Sequence, residues 1–341
     1  MSAARHRPKA LTPSESRSSL GLPSDWLREE DISRSVHGGF PPEEPPNVVY
    51  HYTPAAGLLG IVKSGQLWVT DVEFLNDSQE LSYAGENLLR ALRVEEECLA
   101  LLKFVGAGSS PDPEVMDELS SFLARRERWG RHKQPSEKEA GPALVALQRI
   151  IMGLHQMKGS SRSTPLHVYV TCFCEEGDLL SQWRGYGGAG GYSIGFNRHA
   201  LETVASLHSR GEFLGISYGF RDAVRLTAGS FFPEYLHRGI SLLGDYLKAV
   251  TMIKNPAFRE EREWRLMIPR EDILDDVEFR IGPLGVTPYL EVPFAREEVT
   301  DVIVGPGHNP AERMNGTRQL LDRYGMQHVD VQPSQASLRL S

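Results

Sequence analysis

The order of β-prone and helical stretches constrains the fold of this 341-residue chain more than any other feature. Short runs rich in β-branched and aromatic residues predict strands at residues 48–50, 66–71, 166–174, 192–196, 213–220, 263–268, 277–281, 289–294, 299–304 and 328–331. Apolar residues at helical spacing predict helices at residues 57–64, 86–104, 114–129, 142–157, 179–184, 222–254 with a break at Pro233, and 310–324. Because strands and helices do not alternate regularly, we expect an α+β fold rather than a doubly wound sheet.

Two parts of the chain differ from the rest in composition. Residues 1–46 are rich in proline and serine and poor in large apolar side chains, which predicts a mostly disordered N-terminal segment. Three consecutive amphipathic helices interrupt the strands at about residues 84–160. We therefore expect a single domain over residues 47–341 that carries a helical insertion.

Charge and cysteine content exclude several classes of protein. Lys and Arg number 37 and Asp and Glu 45, and the resulting net charge of −8 excludes a generally basic protein that coats nucleic acid. Three cysteines cannot form a disulfide framework and favour a reducing compartment. The N-terminus lacks the apolar region of a signal peptide, and no uncharged apolar run of about 18 residues follows. These features predict a cytoplasmic protein without membrane contact.

Several familiar motifs are absent or lack their context. Gly185, Gly187 and Gly190 have the spacing of a dinucleotide-binding loop, but a predicted helix precedes them and a strand follows, the reverse of the Rossmann order. The glycines therefore indicate either a loop that covers a ligand or a simple turn. Cys172 and Cys174 lack the spacing of a zinc site and, two apart on a strand, point to one face. We expect no metal, and neither a serine-hydrolase elbow nor a P-loop is present.

Three polar and aromatic stretches are candidates for chemistry. His51-Tyr52-Thr53 follows a strand and offers hydrogen bonds to a sugar or carboxamide, although a histidine there is also commonly structural. Residues 181–186 place Trp183 and Tyr186 on one helical face, suited either to stacking on a planar ring or to filling the core. Glu261 and Glu263 would share one face of a strand that runs that far. A pair of this kind needs a cationic partner when it faces a pocket, and otherwise belongs to a solvated charge run.

Together these stretches carry a resemblance. The segments HYT, FLNDSQE, CFC, LSQWRGYG, GYSIGF and FREEREWRL resemble a widespread bacterial family known only as a domain of unknown function. The order of motifs also resembles, more weakly, the ADP-ribosyltransferase superfamily. The resemblance covers about residues 47–268 apart from the helical insertion, and it implies a split β-sandwich that binds NAD as a substrate.

The resemblance also implies roles for individual residues. Glu263 would be the catalytic glutamate, and Glu261 would orient the acceptor. The implied NAD-binding residues are His51, Tyr52, Thr53, Trp68, Thr70, Ser181, Trp183, Arg184 and Tyr186. Within this set His51 and Thr53 would hold the nicotinamide ribose and carboxamide, and Tyr186 or Trp183 would pack on the nicotinamide ring. The arginine-modifying type has an arginine where His51 stands, which puts transfer to protein arginines in doubt.

The chemistry of nicotinamide loss fits these residue types. Breaking the bond between nicotinamide and ribose develops positive charge on the sugar, as in glycoside cleavage, and a nearby carboxylate stabilises that charge. The leaving ring already carries a positive charge, so no metal is needed. The expected function is an NAD-dependent ADP-ribosyltransferase that acts in toxicity or phage defence, with a nucleic acid or a protein as acceptor.

Two further groups of residues are candidates for acceptor binding. Asn76, Asp77 and Glu80 have the spacing of a helix cap, with acceptor positioning as the alternative. Arg125, Arg126 and Arg128 could contact phosphates, although a solvated helix face is the ordinary interpretation in an acidic chain. Two rival functions stay open. One is a metal-dependent nuclease that uses Asp77, Glu80, Glu261 and Glu263, and the other is a binding module without turnover.

Overall fold

The computed structural model describes residues 45–75, 81–90, 92–93, 96, 145, 148, 167–187, 190–219, 250–270, 276–282 and 284–336. The predicted disordered segment before residue 45 and most of the predicted insertion lie outside these residues. Residues 81–90, 92–93, 96, 145 and 148 are helical. Those from 86 onwards lie within the helices predicted at 86–104 and 142–157, and residues 81–85 precede the predicted start.

The described residues form an α+β structure, as the order of elements predicted. Its strands are β1 Val48–Thr53, β2 Gln66–Asp71, β3 His167–Cys174, β4 Tyr192–Asn197, β5 Glu212–Gly215, β6 Ser217–Tyr218, β7 Ile253–Lys254, β8 Glu263–Arg270, β9 Val277–Gly282, β10 Gly285–Pro293, β11 Val299–Val304 and β12 Asp330–Pro333. The helices whose two ends are both described are α1 Ala55–Ser64, α2 Leu180–Gln182, which continues as a π-helical turn at Trp183–Gly187, α3 Arg198–Ser206 and α4 Pro310–Arg323. Short 3₁₀ turns lie at Val72–Phe74, Pro256–Glu261 and Arg296–Glu298.

Strand β3 is the branch point of a ten-stranded, mostly antiparallel sheet. One edge of β3 pairs with β8 along its whole length, ending with Cys174 opposite Glu263. The other edge is shared, because β2 pairs at Val170 and β1 pairs at Cys174. From there the sheet continues as β1-β4-β11-β12 in one limb and as β2-β10-β9 in the other. The two limbs therefore separate beside residues 171–173.

One face of this sheet carries the main hydrophobic core. Alternate residues of the strands, such as Tyr169, Phe173 and Leu266, pack there against apolar residues of α1, α3 and α4. Helix α1 ends as its sequence predicts, because Gly65 adopts a left-handed conformation with φ 70° and its N–H donates to the Ile61 carbonyl. The core thus fixes one side of β1, β3 and β8. The other side of β3 and β8 carries a smaller apolar cluster that includes Val168, Val170 and Met267, together with the polar side chains of Glu263 and Arg265.

The structure corrects three predicted elements. The predicted strand 213–220 is two strands, because Ile216 N–H donates to the Glu263 carbonyl and the chain then pairs with β7. The predicted helix 222–254 does not reach its end, since Ile253 and Lys254 pair in parallel with β6. Helix α3 was not predicted, although Asn197 caps it by accepting a hydrogen bond from His199 N–H.

Candidate functional site

Two side chains bridge the gap where the sheet branches. His51 Nδ1 lies 2.9 Å from the Cys172 carbonyl oxygen, and Thr171 Oγ1 donates to the Trp68 carbonyl over 2.6 Å. A carbonyl oxygen only accepts, so His51 Nδ1 carries the proton. Burial lowers the pKa of His51, and the charge of Arg280 lowers it further. The hydrogen bond to the Cys172 carbonyl raises this pKa but does not outweigh burial. The ring is therefore neutral at pH 7, with Nε2 available as an acceptor.

An open cavity lies beside this gap, and its empty space of about 370 Å³ includes open solvent. Strand β1 contributes Tyr50, His51 and Tyr52 to its lining, and β3 contributes Cys172, Phe173 and Cys174. The remaining lining residues are Gln182, Tyr186, Glu261 and Glu263. The cavity thus brings together five residues that the sequence singled out: His51, Tyr52, Tyr186, Glu261 and Glu263.

The two glutamates meet by a route that the sequence did not predict. Glu261 ends a 3₁₀ turn and Glu263 begins β8, so no strand runs through both residues. Arg262 between them is left-handed, with φ 40° and ψ 56°. This conformation turns the chain so that both carboxylates reach the Nζ of Lys254, each over 2.7 Å. The pair therefore faces a pocket and has the cationic partner that such a pair requires.

Glu263 has a second cationic partner. Arg265 Nε donates to Glu263 Oε1 over 2.5 Å, and another guanidinium nitrogen of Arg265 donates to the Thr251 carbonyl over 2.7 Å. Burial by itself would raise the pKa of Glu263, but the charges of Arg265 and Lys254 outweigh it and lower the pKa from 4.5 to about 2. Glu263 is therefore a buried carboxylate that stays ionised at neutral pH.

The two cysteines of the cavity are neutral thiols. They lie on the same face of β3, as predicted, and Cys174 Sγ donates to the Glu261 carbonyl. Burial raises the pKa of Cys174 to about 12, and burial together with the charge of Glu263 raises the pKa of Cys172. Since the thiolate is the reactive form, neither residue is poised as a nucleophile.

Trp183 is buried and packs against Tyr52, which lines the cavity. Its side chain is 1% exposed, its ring contacts that of Tyr52 edge-on at 4.7 Å, and its Nε1 donates to Asp178. Tyr186 is 43% exposed and lines the cavity. Of the two aromatic residues predicted to pack on nicotinamide, Tyr186 lies where a ligand could reach it and Trp183 belongs to the core.

Other predicted ligand residues lie around the cavity. The Tyr52 hydroxyl donates to the Glu176 carbonyl and accepts from Leu179 N–H, so it fixes the chain before α2. Thr53 is buried against Gly57 at the start of α1. Ser181 has a buried hydroxyl without a hydrogen-bond partner among the described residues, and Arg184 is exposed. Thr53, Ser181 and Arg184 are not among the residues that line the cavity.

Trp68 and Thr70 belong to a separate cluster on β2. The rings of Trp68 and Tyr289 lie 5.3 Å apart, and Arg280 lies over both. A guanidinium nitrogen of Arg280 donates to Thr70 Oγ1 over 2.9 Å. The sequence singled out both β2 residues but not the arginine that they contact.

In the glycine-rich segment, the backbone lies close to other parts of the chain because the glycines have no Cβ. A Cβ on Gly191 would lie 2.3 Å from the Gly187 Cα, and a Cβ on Gly305 would lie 2.6 Å from the Trp183 ring. Arg313 of α4 donates to the carbonyls of Gly191 and Gly305. Of the two interpretations of these glycines, the described part of the segment favours a packed turn. It also follows a helix and precedes β4, as the argument against a Rossmann loop required.

The predicted acceptor-binding residues form two groups. Asn76, Asp77, Glu80, Arg125, Arg126 and Arg128 lie outside the described residues. Among the described residues, no group of three or more His, Cys, Asp or Glu side chains could hold a metal ion. The described helices also include none that is long and apolar enough to span a membrane.

Sequence reasoning missed the cations of this site. Lys254 was assigned to a predicted helix, and Arg280 is distant from His51 in the sequence. Only the tertiary structure therefore places Lys254 beside Glu263 and Arg280 near His51. Arg265 had one usable signal, because it stands two residues after Glu263 and so shares its face of β8. Gln182 and Tyr50 were also missed, although each is adjacent to a predicted residue.

Part of the chain matches a known protein family. Residues 182–266 match a family model described as "Protein of unknown function (DUF2971)". The matched segment is about a quarter of the chain and contains Tyr186, Glu261, Glu263 and Arg265. It supports the resemblance to a family of unknown function. No curated protein and no solved structure matches the chain.

Proposed function

We propose that this chain is an ADP-ribosyltransferase. It takes NAD as its substrate, breaks the bond between nicotinamide and ribose, and transfers ADP-ribose to a macromolecular acceptor. The observation that carries the proposal is the position of Glu263, which lines the same cavity as His51. The division of the sheet into two limbs at β3 is compatible with the split β-sandwich that the resemblance implies.

Glu263 and His51 would act together while the bond between nicotinamide and ribose breaks. When the C–N bond breaks, its electron pair goes to the nicotinamide nitrogen and positive charge develops on the ribose. Glu263 is ionised at neutral pH, so its oxygens stabilise that charge and accept hydrogen bonds from ribose hydroxyls. His51 Nε2 accepts from a hydroxyl or amide N–H of the substrate.

The second half of the reaction needs a base. The acceptor's nucleophile forms a bond to the ribose carbon and loses a proton. The side chain of Glu261 is 14% exposed and that of Glu263 is 5% exposed, so Glu261 is the more accessible carboxylate. We assign the orientation of the acceptor, and receipt of its proton, to Glu261.

The decisive experiment follows nicotinamide release from NAD by chromatography. The wild type should release nicotinamide, and Glu263→Gln should reduce the rate by roughly 10²- to 10³-fold, as for other electrostatic stabilisers. Glu260→Gln is the matched control, because Glu260 is exposed on the same 3₁₀ turn. Equal rates for the wild type and Glu263→Gln, or no release by either, would contradict the proposal.

Labelled NAD separates transfer from hydrolysis. A label in the adenosine half should appear on a macromolecule if the chain is a transferase. If nicotinamide is released but the label stays in free ADP-ribose, the activity is that of an NAD glycohydrolase. If EDTA abolishes cleavage of a nucleic acid and NAD has no effect, the chain is a metal-dependent nuclease.

One observation favours the alternative of a binding module. Both oxygens of Glu263 already accept from cations, Oε1 from Arg265 and Oε2 from Lys254, so a ribose hydroxyl has to share or displace these contacts. A module without turnover would bind NAD with a measurable heat and release no nicotinamide. Calorimetry and the release assay on the same preparation therefore distinguish it from the transferase.

A further inference from the structure

Arg280 of β9 is held in place by aromatic and hydroxyl groups. Its Cζ lies 5.4 Å from the ring centroid of Trp68 and 5.8 Å from that of Tyr289. Thr70 Oγ1 accepts from its guanidinium over 2.9 Å. These contacts fix the plane of a long, flexible side chain before any ligand binds.

The described residues give this guanidinium no acidic partner. No carboxylate among them lies within ion-pair distance, and Nε is buried without a hydrogen-bond partner. Of two other arginines with a buried Nε, Arg270 has an acidic partner in Asp276, and Arg296 donates to two backbone carbonyls at the end of α1. A guanidinium has five N–H donors, so Arg280 keeps donors for an anion.

The position of Arg280 connects it to the cavity. Arg280 packs on Trp68, whose carbonyl accepts from Thr171, and the adjacent Cys172 carbonyl accepts from His51 of the cavity. The charge of Arg280 accordingly lowers the pKa of His51, after burial as the larger cause. Its neighbours Trp68 and Thr70 stand on β2, the limb of the sheet that borders the gap opposite β1. An extended ligand in the cavity can therefore place one part near Glu263 and another near Arg280.

We propose that Arg280 binds a phosphate group, and that this group is the pyrophosphate of the dinucleotide whose nicotinamide end occupies the cavity. Planar, two-pronged contact with phosphate oxygens is the recognition that a fixed guanidinium provides. Trp68, Tyr289 and Thr70 position the guanidinium rather than contact the phosphate. The choice of pyrophosphate as ligand rests on the proposed function, whereas the anion site itself does not.

The test is isothermal titration calorimetry of the full chain with four probes: inorganic pyrophosphate, NAD, nicotinamide riboside and a short single-stranded oligonucleotide. Arg280→Gln should weaken binding of pyrophosphate and of NAD by roughly tenfold or more and leave nicotinamide riboside, which has no phosphate, unchanged. The affinity of Arg280→Lys for pyrophosphate and NAD should lie between those of the wild type and Arg280→Gln, because lysine keeps the charge but lacks the planar guanidinium that makes two parallel hydrogen bonds. Arg323→Gln, an exposed arginine of α4, is the control.

Each outcome decides the proposal. Pyrophosphate binding that depends on Arg280 supports the anion site even if no NAD is consumed, and in that case only the proposed function fails. Equal pyrophosphate affinity in wild type and Arg280→Gln, or no binding by the wild type, overturns the site. Loss of oligonucleotide binding alone overturns the assignment to a dinucleotide. If Arg280→Gln does not fold, Thr70→Val removes the fixing hydrogen bond and should weaken pyrophosphate binding in the same direction.

Discussion

Lys254 Nζ lies 2.7 Å from Glu263 Oε2, and both side chains are buried. The lysine ends β7 and the glutamate begins β8, so the contact joins the two-stranded β6-β7 sheet to the main sheet. The same ammonium contacts Glu261, and Arg265 contacts Glu263 from the next position on its face. Two carboxylates and two cations thus form one largely buried cluster, in which Glu261 is the most exposed member and each charge depends on the others.

Glu263→Gln tests how this cluster stabilises the fold. The pKa of Glu263 falls from 4.5 to about 2 on folding, so its ionisation favours the folded state above pH 4.5 and loses that effect as the pH falls towards 2. The variant should lower the free energy of unfolding on the order of 3 kcal/mol at pH 7. The difference should shrink to nothing near pH 2, which denaturant titrations from pH 2 to 7 would measure. A constant difference across that range would show that ionisation is not the cause.

Lys254→Met tests the cation shared by the two glutamates. Without it, Glu263 keeps the desolvation that raises its pKa and loses one of the two charges that lower it, so its pKa should rise. The acid limb of nicotinamide release should then move to higher pH, and so should the acid limb of stability. Lys254→Arg should restore both. If the two limbs stay in place while stability drops uniformly, Lys254 is merely a packing residue.

Local patterns predicted the framework of the fold better than its junctions. The bounds of β2 and β11 agree with the sequence prediction, because a glycine or polar turn limits each strand and β-branched residues fill it. The prediction that a helix extends to Lys254 was wrong. Ile253 and Lys254 form a strand because they pair with Ser217 and Tyr218. That pairing joins residues distant in sequence, so no local propensity could report it.

The candidate site was predicted in part for a similar reason. Residue type and order marked His51, Tyr186 and Glu263, and the structure places them on one cavity. The expected strand through Glu261 and Glu263 was wrong, because their convergence depends on the left-handed Arg262. Left-handed arginine is uncommon and is stabilised by tertiary contacts, which the sequence does not display.

Tyr186 and Trp183 should respond differently to substitution. Tyr186→Ala removes a half-exposed lining residue, so it should weaken NAD binding and change the melting temperature little. Trp183→Phe removes the hydrogen bond to Asp178 and leaves a gap in the core, which should cost roughly 1–3 kcal/mol of stability. Thermal melts and NAD titrations of both variants provide the comparison. Equal effects on binding would show that the two aromatic residues share one role.

Gly191→Ala tests the packed turn. The new Cβ would stand 2.3 Å from the Gly187 Cα, a backbone atom that cannot move without displacing the π-helical turn. Overpacking of this kind should cost about 1–3 kcal/mol, visible as a lower denaturation midpoint. Gly185→Ala is the matched control in the same glycine-rich segment, because no atom of the described residues lies within 4 Å of a Cβ at that position. A loop that merely covers ligands would tolerate both changes.

Arg262 offers the most specific test of how the two glutamates converge. Its φ of 40° is unfavourable for any residue with a Cβ, so Arg262→Gly should be more stable than Arg262→Ala by about 1 kcal/mol. Both variants lose the same ion pairs with Glu175 and Glu176, and the comparison cancels that loss. Nicotinamide release should survive in both, because the conformation persists.

Arg262→Pro fixes φ near −65° and should separate Glu261 from Lys254. Its activity should fall below that of Arg262→Ala even after correction for the folded fraction measured by circular dichroism. Equal stability of the glycine and alanine variants would contradict the left-handed geometry, and full activity of a folded proline variant would show that the two carboxylates need not meet.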